Sequence, residues 1–174
     1  MPGSEASTER LRDRERLAAA VKEAGAIALS FFRGSFKSWT KGQGDSPVTE
    51  ADIASNDLLQ RRLVSPGDGW LSEESENDPS RLTARRVWVV DPIDGTRAFI
   101  AGREDWSISA ALVEDGRPVM AAPYAPVTDE LFLATGGGGA MRNEIPILAS
   151  TGGDRKSTRL NSSHIQKSRM PSSA

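Results

Sequence analysis

A run of β-branched and aromatic residues, Arg86-Val87-Trp88-Val89-Val90, ends directly on Asp91-Pro92-Ile93-Asp94-Gly95-Thr96. The run is short, continuous and apolar, as in a buried strand. Pro92 pushes the residue before it out of helical conformation, so a turn is predicted straight after Asp91. Gly95 admits backbone angles closed to other residues. Such a turn can point two carboxylates and the Ile93 carbonyl at one spot, at the end of a strand the fold must bury.

The flanking segments supply the layers around that strand. Glu9–Phe32 reads as a helix, with Leu17, Val21, Ala24, Ala28 and Phe31 in one apolar stripe and Gly34 as its stop. Ser35–Val48 is rich in Gly, Ser and Lys and reads as an exposed loop or short hairpin. Thr49-Glu50-Ala51-Asp52 matches a capping box opening a second helix, with Ile53, Leu59 and Leu63 buried and Pro66-Gly67 ending it. Gly69–Ser75 is a short apolar run closing on Glu73-Glu74, and Glu76–Ala84 is polar loop.

After a helical turn at Arg97–Gly102, Ser107–Val113 and Pro118–Tyr124 read as strands joined through Asp115-Gly116, a strong hairpin signal. Pro123 would remove a ladder donor, which suggests an edge or a bulge. Glu130–Ala134 is a further strand, Gly136–Gly139 turns the chain, and the sheet is expected to end there with an unpaired edge. The predicted class is α+β, helices layered on a mainly antiparallel sheet.

From Asp154 the composition changes. Asp154–Ala174 holds six Ser, five basic residues, one acid and no aromatic, without helical or strand periodicity. A disordered basic tail is one reading. The other is that Asp154–His164 and Ser168–Ala174 back-translate, in one frame, into the two ends of a sequencing-library adapter. On that reading 154–174 is a non-native, disordered tail, 1–153 is the N-terminal part of a domain, and the native chain continues past Gly153. Without the tail, 17 basic residues stand against 23 acidic ones, a balance that disfavours nucleic-acid binding. The chain has no Cys, and its single His, His164, lies in that tail, so the expected chemistry runs without either. No apolar run approaches the ~20 residues of a membrane span, and the polar N-terminus is no secretory signal. A soluble, cytoplasmic protein with no membrane partner is expected.

Three acidic features remain: Asp52, Glu73-Glu74 and Asp91-x-x-Asp94. Hard oxygen ligands without His or Cys select Mg²⁺, Mn²⁺ or Ca²⁺. The N–H groups of Gly95 and Thr96, opening a helical turn, suit a phosphate oxygen. Together these point to phosphate-ester chemistry. Each feature also has a plainer reading: Asp52 as a helix cap, Glu73-Glu74 as solvated loop, and Asp91–Gly95 as ordinary turn chemistry.

In combination the motifs resemble those of the inositol monophosphatase-like family of Mg²⁺-dependent, lithium-sensitive phosphatases. Its hallmark W-x-x-D-P-I/L-D-G-T stands as Trp88–Thr96, the upstream G/S-E-E motif as Ser72-Glu73-Glu74, and P-V-T-x-x-D as Pro47–Asp52. The resemblance covers roughly Leu17 to Ala140. The family's W-D-x-A motif, with a further metal-binding Asp, has no counterpart, nor has the second α/β half of the fold.

The resemblance implies that Glu73, Asp91 and the Ile93 carbonyl hold a first Mg²⁺, and that Asp91 and Asp94 bridge to a second. Asp52 and Thr96 would orient the attacking water, and Glu74 would help hold that water or a third metal. Gly95 and Thr96 would bind substrate phosphate. The implied substrate is a small phosphorylated metabolite. Asp45–Thr49 and Tyr124-Ala125-Pro126 are similar to the 3′(2′),5′-bisphosphate nucleotidase branch, while inositol-1-phosphatase and fructose-1,6-bisphosphatase activities share the catalytic motifs. A homodimer is common in the family. The alternative from another class is an inactive fragment or binding protein that keeps the fold.

Overall fold

The computed structural model describes residues 2–41, 46–76 and 78–148. The segment 154–174 and Asp45 lie outside them. Helices α1 (Pro2–Phe31) and α2 (Glu50–Leu63) pack on each other and on a seven-stranded sheet. The sheet runs, in chain order, through β3 (Gly69–Ser72), β4 (Arg86–Asp94), β5 (Ser107–Glu114), β6 (Arg117–Ala125), β7 (Glu130–Thr135), β8 (Gly139–Arg142) and β9 (Ile145–Ile147). A separate hairpin of β1 (Ser38–Lys41) and β2 (Ser46–Thr49) leads straight into α2. All pairings in the large sheet are antiparallel except β3–β4, which is parallel and needs the crossover through the 3-10 turn Pro79–Leu82. The expected α+β class is the observed one.

The core forms where the helix stripe meets the alternation of the strands. Leu17, Val21, Ala24 and Ala28 of α1 and Leu59 and Leu63 of α2 are buried with Trp88, Val90, Ile108, Ala110, Leu112, Met120, Ala122 and Tyr124. Truncating a side chain such as Leu59 to Ala costs about 2–5 kcal/mol at sites of this kind. The approach of α1 to β6 is close: a Cβ on Gly25 would lie 2.6 Å from the Tyr124 ring. Among the described residues, no helix is long and apolar enough to cross a membrane.

Several expectations are corrected. The left-handed residue closing α1 is Arg33 (φ 60), not Gly34. Its guanidinium is held there by the Gly102 carbonyl (3.2 Å) and Glu104 (3.0 Å), contacts distant in sequence. Ile53 is only half-buried, and Ala51 and Ser55 occupy the interior positions instead. β4 does not stop at Asp91: it continues to Asp94, pairing with Ser107 after a register irregularity. The bulge absorbs the turn that Pro92 was expected to impose. Pro123 lies in an interior strand, β6, where it pairs with Ser109 of β5. The β6–β7 register is kept on either side of it, at Ala121–Ala134 and Tyr124–Leu131. The sheet does not end near Gly139, because β8 and β9 extend it.

Candidate active site

Strand register assembles the acids. In the parallel β3–β4 pair Ser72 is opposite Val90, so the residues that follow β3 lie level with Asp91, the next residue of β4. Glu73 is thereby brought beside Asp91, and Glu74 lies near Asp52 and Lys41. The turn that carries them is fixed by neutral hydrogen bonds: Glu74 N–H donates to Ser72 Oγ (3.2 Å), and Ser75 Oγ accepts from Trp70 Nε1 (3.0 Å) and Asn56 Nδ2 (3.1 Å).

The start of α2 supplies Asp52. Thr49 caps the helix in extended conformation, and the reciprocal capping box is complete, with Thr49 N–H donating to Asp52 Oδ2 at 2.8 Å. The other oxygen, Oδ1, faces Thr96 Oγ1 at 3.3 Å. Asp52 is therefore both cap and site residue, and the two readings of it coexist. Thr96 Oγ1 also lies 3.0 Å from the Ile93 carbonyl, so its single proton serves one acceptor at a time.

At the junction of β4 and α3 (Thr96–Ile100), Gly95 takes φ 97. A Cβ there would come within 2.8 Å of the Asp105 carbonyl, so only glycine lets the following loop close over this turn.

Charge distribution sets this end apart. Burial, then the charge and hydrogen bond of Glu73, then the charges of Asp94 and Asp52, push the Asp91 carboxyl up to about 8. Burial also raises Asp52, against the bonds from Thr49 and Thr96. Glu74 is raised by burial too, offset by Lys41, with Asp52 and Glu73 adding repulsion. Lys41 of β1 pairs with the Glu74 carboxylate and donates to the Glu73 carbonyl. Sequence reading missed Lys41, whose Gly- and Ser-rich surroundings carry no sign that the hairpin folds onto the acids.

A cavity of about 500 Å³ opens beside this cluster, lined by Lys41, Glu73, Glu74, Gly95, Thr96, Arg97 and Arg103 among others. Asp91 and Asp52 do not line it, and Asp94 faces a neighbouring cavity of about 670 Å³ on the other flank of the β4–α3 junction. Among the described residues, no three carboxylates converge into a finished cation cage.

The donor set nevertheless fits a hard cation. Asp91 Oδ1 is buried without a hydrogen-bond partner, and the Ile93 carbonyl keeps a lone pair beyond the one facing Thr96. Carboxylates crowded in this way are relieved by a divalent ion or by taking up protons.

Comparison with known proteins identifies the family. Residues 12–173 match the model of the inositol monophosphatase family, a match that runs beyond Gly153. The chain is 35% identical over 130 residues to the 3′(2′),5′-bisphosphate nucleotidase CysQ of Salmonella typhimurium, covering 71% of this chain and 52% of that protein. It is 36% identical over 133 residues to a histidinol-phosphatase of Chlorobaculum parvum, covering 75% and 50% respectively. The solved extragenic suppressor protein SuhB of Bartonella henselae superposes with a TM-score of 0.71 at 30% identity, over 79% of this chain and 54% of that one. The chain belongs to the inositol monophosphatase family. It spans about half the length of the curated relatives it matches.

Proposed function

We propose that this chain carries the metal- and phosphate-binding part of a Mg²⁺-dependent phosphomonoesterase acting on a small phosphorylated metabolite. The observation that carries the reading is the Asp91 cluster: a half-buried carboxylate whose Oδ1 is buried and unpartnered, crowded by Glu73, Asp94 and Asp52, beside a cavity that Thr96 lines. Glu73, Asp91 and the Ile93 carbonyl would hold one Mg²⁺, and Asp91 with Asp94 would reach toward a second. When bound, Mg²⁺ neutralises charge on the phosphate and on the leaving oxygen.

The chain's own groups do the proton work. Thr96 Oγ1 accepts a hydrogen bond from the attacking water while donating its proton to Asp52 Oδ1. Burial raises the affinity of Asp52 for that proton, which favours its acting as a proton acceptor. Glu74, held by Lys41, confines the water from the other side or contributes to a third metal site. Gly95 and Thr96 line the cavity where the phosphate would sit.

Among substrates, a nucleoside 3′(2′),5′-bisphosphate is favoured, supported by the likeness to CysQ. The histidinol-phosphatase relative makes a phosphorylated amino alcohol the second reading. The same proposal carries a cytoplasmic enzyme, with a homodimer as its assembly. It also takes 1–153 as native sequence and 154–174 as not. Phosphate release from adenosine 3′,5′-bisphosphate, inositol 1-phosphate and histidinol phosphate, with and without Mg²⁺, tests it on the protein completed with the second half of a relative. Mg²⁺-dependent release, fastest from the bisphosphate, is expected; release indifferent to chelator overturns it. Recovery of the 154–174 codons from an independent genomic clone would overturn the assignment of that segment.

A further inference from the structure

The candidate cavity is lined not only by acids. Arg97 and Arg103 line it together with Glu73, Glu74, Gly95 and Thr96. Neither arginine is needed to hold a cation, and both carry the wrong charge to do so. The Arg103 side chain is exposed, but the loop that carries it is held in place.

Its loop is pinned at several points. Arg103 N–H donates to the Ala98 carbonyl (2.9 Å), and Gly102 N–H to the Phe99 carbonyl (3.0 Å). Arg33 spans from α1 to the Gly102 carbonyl and to Glu104. Trp106, at the end of the loop, stacks edge-on against Phe99 with ring centres 5.0 Å apart. Asp105, the ion-pair partner of Arg103 at 3.3 Å, is itself fixed where its carbonyl abuts Gly95. Arg97 is the second residue of α3, adjacent in the chain to Thr96. Two guanidinium groups are thus presented from a rigid one-turn helix and its return loop, on the wall next to Thr96.

We infer that Arg97 and Arg103 form a second anion subsite in this cavity, taking a phosphate of the substrate other than the one hydrolysed. This rests on the phosphatase reading above and deepens it: these two residues select bisphosphorylated over monophosphorylated substrates. The chemistry suits them. Guanidinium is always charged, is weakly hydrated and offers a planar fork that matches phosphate oxygens. A single phosphate drawn to Asp91, Thr96 and their bound cations leaves the arginine wall unused. A second phosphate on the same small molecule would complete it, and a volume of about 500 Å³ lies in the range that accepts a nucleotide-sized ligand.

The test is equilibrium binding to the full chain in Mg²⁺, read by calorimetry. Adenosine 3′,5′-bisphosphate is compared with adenosine 3′-phosphate, which differs only in lacking the second phosphate. Wild type should favour the bisphosphate by about tenfold or more, a preference that shrinks as salt is raised. The double substitution Arg97→Gln/Arg103→Gln should cut the preference to within about threefold, and Arg97→Lys/Arg103→Lys should restore part of it, since charge returns without the fork. Both side chains are exposed, so circular dichroism and melting should be unaltered in either variant. A double Gln variant that keeps the full preference overturns the subsite and leaves the phosphatase reading standing. A wild-type chain with no preference, or no binding, overturns the bisphosphate reading itself.

Discussion

The two ends of β4 handle charge in opposite ways. At its start, the Arg86 guanidinium is only 12% exposed yet surrounded by acids: Asp13 at 2.6 Å, Glu9 at 2.8 Å, Asp68 at 3.4 Å and Glu114 at 3.6 Å. Burial alone would lower its pKa, but Asp13, Asp68 and Glu114 outweigh burial and raise it. At the far end, Asp91 meets Glu73, Asp94 and Asp52, all of its own sign, and one of its oxygens has no partner. The first cluster is balanced by opposite charge from within the chain, although Arg86 Nε makes no hydrogen bond, and it fastens α1 to the sheet. The second has Lys41 on Glu74 but no positive group on Asp91, and its crowding is relieved by protons or by cations. A matched buried cluster serves the fold, and a mismatched one is a reason to look for a ligand.

The largest expected effect is on the mismatched end. Asp91→Asn in the completed enzyme removes a charge where two cations are proposed to meet, so turnover should fall on the order of a thousandfold. The metal-free fold should survive, because a repulsion is relieved. Near-normal turnover at ordinary Mg²⁺ would refute the metal role of Asp91. Arg86→Met should do the converse. It leaves Asp13 with Arg16 alone and Asp68 with only the neutral donors Trp88 Nε1 and Ser65 N–H, and losing one partner of such a cluster costs up to about 3–5 kcal/mol. Urea unfolding measures this, and a loss under about 1 kcal/mol would show that the Arg86 cluster is not what fastens α1.

A smaller effect separates the ends by pH. Asp91 is raised above its unfolded value, so between about pH 4 and pH 8 the folded state binds more protons than the unfolded one. Stability of the metal-free chain should therefore fall as pH rises through that window. Saturating Mg²⁺ should remove the slope, because the carboxylates are then neutralised by cations instead of protons. Melting curves at about pH 5.5 and pH 8, with chelator or with Mg²⁺, check it. A chelated chain that melts higher at pH 8 would contradict the crowding of acids at this site.

What the sequence disclosed follows the same division. Asp52, Glu73, Glu74, Asp91, Asp94 and Thr96 were legible because each sits in a short motif whose local chemistry is written in consecutive residues. The capping box at Thr49–Asp52 and the Asp115-Gly116 hairpin were legible for that reason too. The Arg86 cluster was not, since its acids come from Glu9, Asp13, Asp68 and Glu114, four separate places in the chain. Lys41 and Arg33 escaped for the same cause. β8 and β9 were missed because strands this short and exposed, Gly139–Arg142 and Ile145–Ile147, carry almost no alternation to read. The bulge in β4 was missed because Pro92 reads locally as a turn, and only pairing with Ser107 draws Asp94 back into the sheet.

The smallest effect asks what holds the mismatched acids in place, since ion pairs mostly do not. Ser75 answers for Glu73 and Glu74. Its Oγ accepts from the indole of Trp70, which is 8% exposed, and from the amide of Asn56 on α2. Ser75→Ala leaves both donors without that acceptor, a cost of about 1 kcal/mol for a part-buried group. It also frees the turn from the helix layer, so the Mg²⁺ concentration needed for half-maximal thermal stabilisation should rise a few-fold. Ser75→Thr, which keeps the hydroxyl, should recover most of it. Ser80 offers the control: its hydroxyl bonds Asp78 at 2.7 Å on an exposed turn. Ser80→Ala should stay within about 0.5 kcal/mol of wild type and leave the Mg²⁺ midpoint where it was. If Ser75→Ala left that midpoint unmoved, the neutral bonds would be mere packing, and the position of Glu73 would have to come from the β3–β4 register and the Lys41 contact to its carbonyl.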